Sequence, residues 1–337
     1  EAVFAIEEPE AHLHPQAART LWDRTQALSG QKLMTTHSPY FVQHVPLRDL
    51  RLVRLRGGQT EVCALPRTVV SDLPWNASLD GFLQGGGRCV FERDATTGRL
   101  AARSWFDAGM EASLTHCYRN DADPAARQTE IAALRHACRV IPSAEDEEEL
   151  GFHGRRVRGE IFFARRWILV EGVTEYLLVH ALGKALNLPL DAHGIAVIDF
   201  QQSGSAGIYP ALAEAFGVPW HMVTDGDQEA VKFRQQILDR GFTENDLTGK
   251  FSTLPQDHDL EDQLLADGHE QLLREIMGTL GGKPAITCPF DEFKGRLKNR
   301  KTGYMGALSL RIAADKDLAA RMPAPFVDLI KSLGGAA

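Results

Sequence analysis

No apolar run in this 337-residue sequence approaches the roughly 20 residues that a membrane-spanning helix requires, so no membrane association is expected. The five cysteines, Cys63, Cys89, Cys117, Cys138 and Cys288, are scattered, odd in number and free of any C-x-x-C pair. That pattern argues against a disulfide framework and a zinc knuckle, and it fits a reducing, cytoplasmic setting. No basic and apolar leader opens the chain; it starts at Glu1-Ala2-Val3-Phe4, as if inside a strand, and a piece of a longer protein is expected. Positive charge is also short, with 37 Lys and Arg against 45 Asp and Glu. Phosphate neutralisation normally leaves a basic signature, so the overall charge does not point to nucleic acid. An enzyme that holds divalent metals nevertheless gathers carboxylates at one place, and its phosphate-tracking groups can sit in a short local run. Lys294, Arg296, Lys298, Arg300 and Lys301 form such a run, with a solvated helix face as the alternative reading.

The length exceeds what a single hydrophobic core usually fills, so more than one domain is expected. Residues 3–6 are a short apolar run ending on Glu7-Glu8-Pro9-Glu10-Ala11-His12-Leu13-His14-Pro15, which puts carboxylates where a buried strand emerges. Residues 32–36 read as a second strand, followed by His37-Ser38-Pro39 and a helix start. Together these segments resemble the Walker B and switch-histidine segments of ABC-type ATPases. The resemblance implies that Glu8 polarises the attacking water, Glu7 takes the metal-associated place and His37 senses the γ-phosphate. No G-x-x-x-x-G-K-[ST] phosphate loop occurs anywhere in the sequence, so ATP is expected to matter only in a longer protein. Leu28-Ser29-Gly30-Gln31 looks like the ABC signature but follows Walker B, and it is set aside. The resemblance covers residues 1–65, closing with a strand pair around Gly57-Gly58.

Residues 66–160 are expected to be a mainly helical connector, with a helix over 125–139 whose stripe runs through Ala132, Ala133, Ala137 and Val140, with Leu134 nearby. Such a face suits packing, and a homodimer is expected from it and from the paired working of ABC-type ATPases. The acidic block Glu145-Asp146-Glu147-Glu148-Glu149 reads as a solvated run.

The pattern sharpens at residues 167–170, Trp-Ile-Leu-Val, a continuous apolar run of the kind found in strands covered on both faces. It ends at Glu171-Gly172, and Glu175 follows in the first turn of the next helix. A second strand over 194–200, a loop over 201–205 and a helix over 206–216 follow. A third strand over 220–224 ends at Asp225-Gly226-Asp227, where residues i and i+2 face the same way. An acidic turn is the alternative for that tripeptide taken alone. Strands separated by helices imply a parallel sheet, whose ligands bind beyond the carboxyl ends of the strands. The spacing Glu171-x-x-x-Glu175 and Asp225-x-Asp227 resembles the Toprim domain. With the ATPase-like segment upstream, the chain resembles the OLD (overcoming lysogenization defect) family, in which an ABC ATPase is fused to a C-terminal Toprim nuclease.

That resemblance implies an α/β fold, a Rossmann-like parallel sheet flanked by helices, over residues 161–337. It implies a two-metal phosphodiester hydrolase acting on DNA with Mg²⁺ or Mn²⁺, held by Glu171, Glu175, Asp225, Asp227, Glu261 and Asp259. For Asp259 and Glu261 an acidic helix cap is the alternative. Lys301 opens the last family motif and is expected to stabilise the transition state, with Lys298 as its competitor. Lys294, Arg296, Lys298 and Arg300 are expected to track the nucleic acid. A non-catalytic Toprim nucleic-acid-binding or scaffold module is the rival reading.

Overall fold

A computed structural model describes residues 2–153, 159–202, 205–281 and 287–334. The chain forms two compact units: Glu1–Ala164 with Pro210–Val218 and Ile237–Phe242, and Arg165–Tyr209 with Pro219–Gln236 and Thr243–Ala337. The segments 1–65 and 66–160 therefore share one unit.

In the first unit, β1 (Val3–Glu7) lies parallel to β2 (Gln31–Thr35), with Val3 opposite Gln31 and Glu7 opposite Thr35. The helix α1 (Pro15–Gln26) connects them, and α2 (Pro39–Val42) follows β2. β3 (Leu52–Arg56) and β4 (Gln59–Cys63) form an antiparallel hairpin. Its turn needs two consecutive residues at positive φ, which Gly57 and Gly58 supply at 53° and 81°.

The middle of this unit adds to its helices a small sheet that the sequence does not announce. α3 (Ala77–Gln84), α4 (Ala108–Cys117), α5 (Pro124–Cys138) and α6 (Ala144–His153) pack with a three-stranded antiparallel sheet of β5 (Val69–Val70), β6 (Phe91–Arg93) and β7 (Leu100–Ala102), in the order β5-β7-β6. Strands of two or three residues are too short to show an alternating pattern. On α5 the expected Leu134 is buried together with Ile131 and Cys138, and Ala137 is partly buried, while Ala132 and Ala133 are exposed. Larger side chains remove more apolar area from water than alanine, and they set the face. The acidic block keeps Glu145 and Glu148 exposed, as a solvated run would. It forms α6, and its Asp146 is buried, holding the Arg240 guanidinium through two hydrogen bonds of 3.1 and 2.7 Å. Trp105 Nε1 donates to the same carboxylate at 2.9 Å, and Arg240 stacks over the Trp105 ring.

The second unit is built on a four-stranded parallel sheet of β8 (Arg166–Val170), β9 (Ile195–Asp199), β10 (Trp220–Thr224) and β11 (Phe251–Thr253), in the order β11-β10-β8-β9. Trp167, Ile168, Leu169 and Val170 are all fully buried, as a strand covered on both faces requires. The chain runs from β8 through α7 (Val173–Ala185) to β9, and through α8 (Ile208–Ala215) to β10. From β10 it passes through α9 (Gln228–Asp239) and α10 (Glu244–Leu247) to β11. In the loop expected over 201–205, residues 203 and 204 lie outside the described residues. The helices α11 (Leu260–Ala266), α12 (Glu270–Gly281), α13 (Phe290–Lys298), α14 (Lys301–Ala314), α15 (Lys316–Ala320) and α16 (Ala324–Gly334) complete it. Ile168 and Val170 share one core with Leu178 and Leu182 of α7 and with Tyr304, Leu308 and Ile312 of α14.

This connectivity places a crevice. The chain leaves β8 toward β9 on one side and leaves β10 toward β11 on the other, so a gap opens between the carboxyl ends of β8 and β10.

Candidate metal centre

Glu171 follows the last residue of β8 and Asp225 follows the last residue of β10, so the two adjoin the crevice. The backbone N–H of Asp225 donates to Glu171 Oε1 at 2.6 Å, and Gln201 Nε2 donates to Glu171 Oε2 at 3.2 Å. Asp225 Oδ1 is buried and, among the described residues, accepts no hydrogen bond. A buried acceptor without a partner costs free energy unless a donor or a cation reaches it.

Glu175 sits in the first turn of α7, as its spacing from Glu171 predicts, and is buried. Its carboxylate accepts from the Gly172 N–H at 3.0 Å and the Thr174 hydroxyl at 2.7 Å. Asp227 has a different local role: its Oδ1 accepts from the N–H groups of Glu229 (2.9 Å) and Ala230 (3.1 Å) at the start of α9.

The third acidic group enters on α11. Asp259 is the N-cap of that helix, accepting from the Asp262 N–H at 2.9 Å, so the capping alternative describes its local bonding. Glu261 is different, being 0% exposed and clasped by α14. The Tyr304 hydroxyl donates to Glu261 Oε1 at 2.6 Å, and Lys301 Nζ lies 2.9 Å from Glu261 Oε2. Lys301 and Tyr304 are three residues apart on a helix, so they share a face. Lys298 instead bridges Asp259 (2.6 Å) and Asp262 (3.1 Å).

Gly226 ties the Asp225 loop to the α11 loop. Its N–H donates to the His258 carbonyl and its own carbonyl accepts from the Asp257 N–H, both at 2.8 Å. A Cβ on Gly226 would lie 1.9 Å from the Pro255 carbonyl oxygen and 2.7 Å from that of Leu254. Neither Gly226 nor Tyr304 stands out in the sequence as a site residue. The only signals were a glycine between two aspartates and a tyrosine at i+3 from Lys301.

Like charges at short range and burial shape the titration. Burial pushes the Asp225 carboxyl up to about 9, reinforced by Glu171, Glu175 and Asp259 and opposed by Lys301. Burial likewise pushes Glu171 up to about 7, against the Asp225 N–H and with the carboxylates of Glu175 and Asp227. Glu175 is raised, chiefly by burial. For Lys301 burial acts downward, but Glu261, with Asp259 and Asp225, outweighs it and holds the ammonium above its usual range. An acidic group this crowded binds protons tightly in the absence of a cation.

Among the described residues no three His, Cys, Asp or Glu side chains are already gathered as a metal-holding group. The carboxylates turn instead to backbone N–H groups, to Tyr304 and to lysines. The oxygen-only donor set, and Asp225 Oδ1 without a hydrogen bond, fit a hard divalent cation.

The basic run is shared out among local partners. Lys294 Nζ lies 2.5 Å from Asp262 Oδ1, Arg296 pairs with Glu292 on its own helix, and Arg300 donates to the Leu280 carbonyl. In the first unit, Glu8 and His37 meet: the His37 N–H donates to Glu8 Oε2 at 3.0 Å, and His37 Nε2 lies 3.4 Å from Glu8 Oε1. Glu7 is exposed at the end of β1.

A parallel sheet with carboxylates at the ends of β8 and β10 and on the first turn of α7 defines a Toprim-type domain. Residues 162–227 match the family described as overcoming lysogenization defect protein-like, TOPRIM domain, and residues 1–42 match the AAA ATPase domain family. The chain thus carries an OLD-like Toprim domain behind part of an AAA-type ATPase. It is 38% identical over 131 residues to uncharacterized protein YbjD of Escherichia coli (strain K12), an alignment covering 34% of this chain and 23% of that one. The chain therefore matches about a quarter of that curated relative's length. Similar solved structures include the C-terminal region of the Burkholderia pseudomallei OLD protein (19% identity, TM-score 0.43, covering 52% of this chain and 98% of that one). Another is the C-terminal region of the Xanthomonas campestris pv. campestris OLD protein (21% identity, TM-score 0.36, 52% and 99%).

Proposed function

We propose that the second unit is a metal-dependent nuclease that hydrolyses phosphodiester bonds in DNA with Mg²⁺ or Mn²⁺, normally coupled to the ATPase of which this chain carries part. The reading is supported most by the Glu261–Lys301 pair and by the carboxylates that follow β8 and β10. Glu171 and Glu175 are buried, Glu261 faces Lys301, and among the described residues Asp225 Oδ1 has no hydrogen-bond partner. Glu171, Glu175, Asp225, Asp227, Asp259 and Glu261 are the residues to hold the ions. Divalent ions, when bound, supply an activated water and charge relief at phosphorus.

The chain's own residues do the rest. Tyr304 fixes the rotamer of Glu261, and the Asp225 N–H fixes Glu171. Lys301 keeps its proton through the neutral range, so it offers a positive charge where the phosphorus centre gains negative charge. Lys298, already bridging two aspartates, is the weaker candidate for that role. The basic residues Lys294, Arg296 and Arg300 reach nucleic acid only by exchanging the partners they hold.

Plasmid cleavage in Mg²⁺ or Mn²⁺ without ATP tests the proposal. The chain should nick or cut, EDTA should stop the reaction, and Glu171→Ala should remove nearly all of it. An Asp225→Ala protein that cuts as fast as its parent overturns the assignment. The second reading, a non-catalytic nucleic-acid-binding module, is favoured by the lack of a gathered metal group among the described residues. A crystal soaked in Mn²⁺ separates the two, since a binding module should show no paired ions.

A further inference from the structure

Beside the carboxylates the second unit has a cavity of about 430 Å³, lined among others by Gln256, His258, Asp262, Phe290 and Lys294. It begins one residue from the acidic centre. Glu261 and Asp262 are neighbours at the start of α11, their Cα atoms about 3.8 Å apart, and only Asp262 lines the cavity.

Phe290 stands at the first position of α13 and is 46% exposed, although a phenylalanine gains by burial. Lys294 lies four residues on, the spacing that puts two side chains on one helix face. The ammonium is already matched by Asp262 at 2.5 Å, and Asp257 adds a second acid to the lining. The cavity therefore has no net positive charge with which to draw in a phosphate. It offers instead an aromatic face with a polar rim.

The rim has a defined hydrogen-bonding sense. Gln263 Nε2 donates to Asp267, so Gln263 Oε1 is the acceptor facing His258 Nδ1 at 2.8 Å. His258 Nδ1 is then the donor of that bond. With the Gln256 amide, the rim holds both donors and acceptors for the edge of a heterocycle.

We propose that this cavity is a nucleobase subsite, in which Phe290 takes the face of an unstacked base of the strand whose phosphate lies at Lys301. The inference rests on the nuclease reading and adds a substrate class to it. A base inside a duplex has both faces covered, so the subsite selects single-stranded DNA, a flap or an extruded nucleotide. A cavity of this size is within the range that takes small ligands.

The test uses a short single-stranded oligonucleotide carrying 2-aminopurine at each position in turn, mixed with the full chain in EDTA and in Ca²⁺. One position should lose fluorescence on binding, the signature of stacking on an aromatic ring. Phe290→Ala should abolish that quench and weaken binding by roughly 5- to 150-fold, while Phe290→Trp should keep both. The thermal transition of Phe290→Ala should match the parent's, because the side chain is exposed. A Phe290→Ala protein that binds and quenches like its parent overturns the proposal, as does a parent that quenches no position. Plasmid cleavage by the parent, measured alongside, keeps the two readings apart. Cutting without a quench removes the subsite and leaves the nuclease; a quench without cutting does the reverse.

Discussion

Replacing Asp225 by asparagine should make the metal-free protein more stable while destroying the site. Burial and its acidic neighbours push Asp225 from the usual 3.8 up to about 9. Between those values the folded state holds a proton that the unfolded chain has released, so stability is fullest below pH 3.8 and falls as pH rises toward 9. At pH 7 the accumulated loss, at about 1.4 kcal/mol per pH unit, is roughly 4 kcal/mol. Asparagine keeps the shape and the backbone N–H bond to Glu171 but carries no charge to desolvate. Because Glu171 titrates beside Asp225, the two losses overlap, and the gain from Asp225→Asn should be about 1 to 4 kcal/mol. Urea unfolding in EDTA at pH 5, 7 and 9 measures it. The gain should grow with pH, and Mn²⁺ should invert the ranking by stabilising only the parent, by about 2.7 kcal/mol at a hundred times its Kd. Asp225→Asn less stable than the parent at pH 7 in EDTA, or a difference independent of pH, refutes this account of the centre.

The remaining expectations can be read from variants of single residues. Lys301→Ala should leave metal binding intact and slow cleavage by about 10² to 10³, whereas Lys298→Ala should act through stability; single-turnover kinetics beside calorimetric Mn²⁺ titration tell them apart. Gly226→Ala must push the Pro255 carbonyl away, so it should cost on the order of 2 kcal/mol and weaken metal binding, as melting and titration would register. Asp146→Ala strands a buried guanidinium and should cost about 3 to 5 kcal/mol in urea unfolding. No appreciable ATP hydrolysis is expected of this chain, since the sequence has no phosphate loop for Glu8 and His37 to serve; a phosphate-release assay decides.

What could be read from the sequence follows the length and strength of each signal. The strand at 167–170 announced itself because four apolar residues in a row admit few other placements, and β8 covers them all. Glu171, Glu175 and Asp225 were legible because strand ends and first helical turns have fixed positions. The bonds of Asp227 Oδ1 to the Glu229 and Ala230 N–H groups were not, since they depend on where α9 begins. Within the acidic block at 145–149 only Asp146 departs from a solvated run, for a similar reason. A run of like charges gives no hint that one member will meet Arg240, nearly a hundred residues on. Partners such as Lys298 with Asp259 and Asp262 depend on tertiary approach, which no local pattern encodes.

The gap between β8 and β10 belongs to the threading of the chain and not to its acids. It exists because the backbone departs from those two strands in opposite directions, and it would persist if Glu171 and Asp225 were serine and glycine. Architecture and chemistry are thus separable inheritances here. A descendant could lose every metal-binding carboxylate, keep the crevice, and recruit it for a different small anion or for none, with the sheet itself giving no sign of the change.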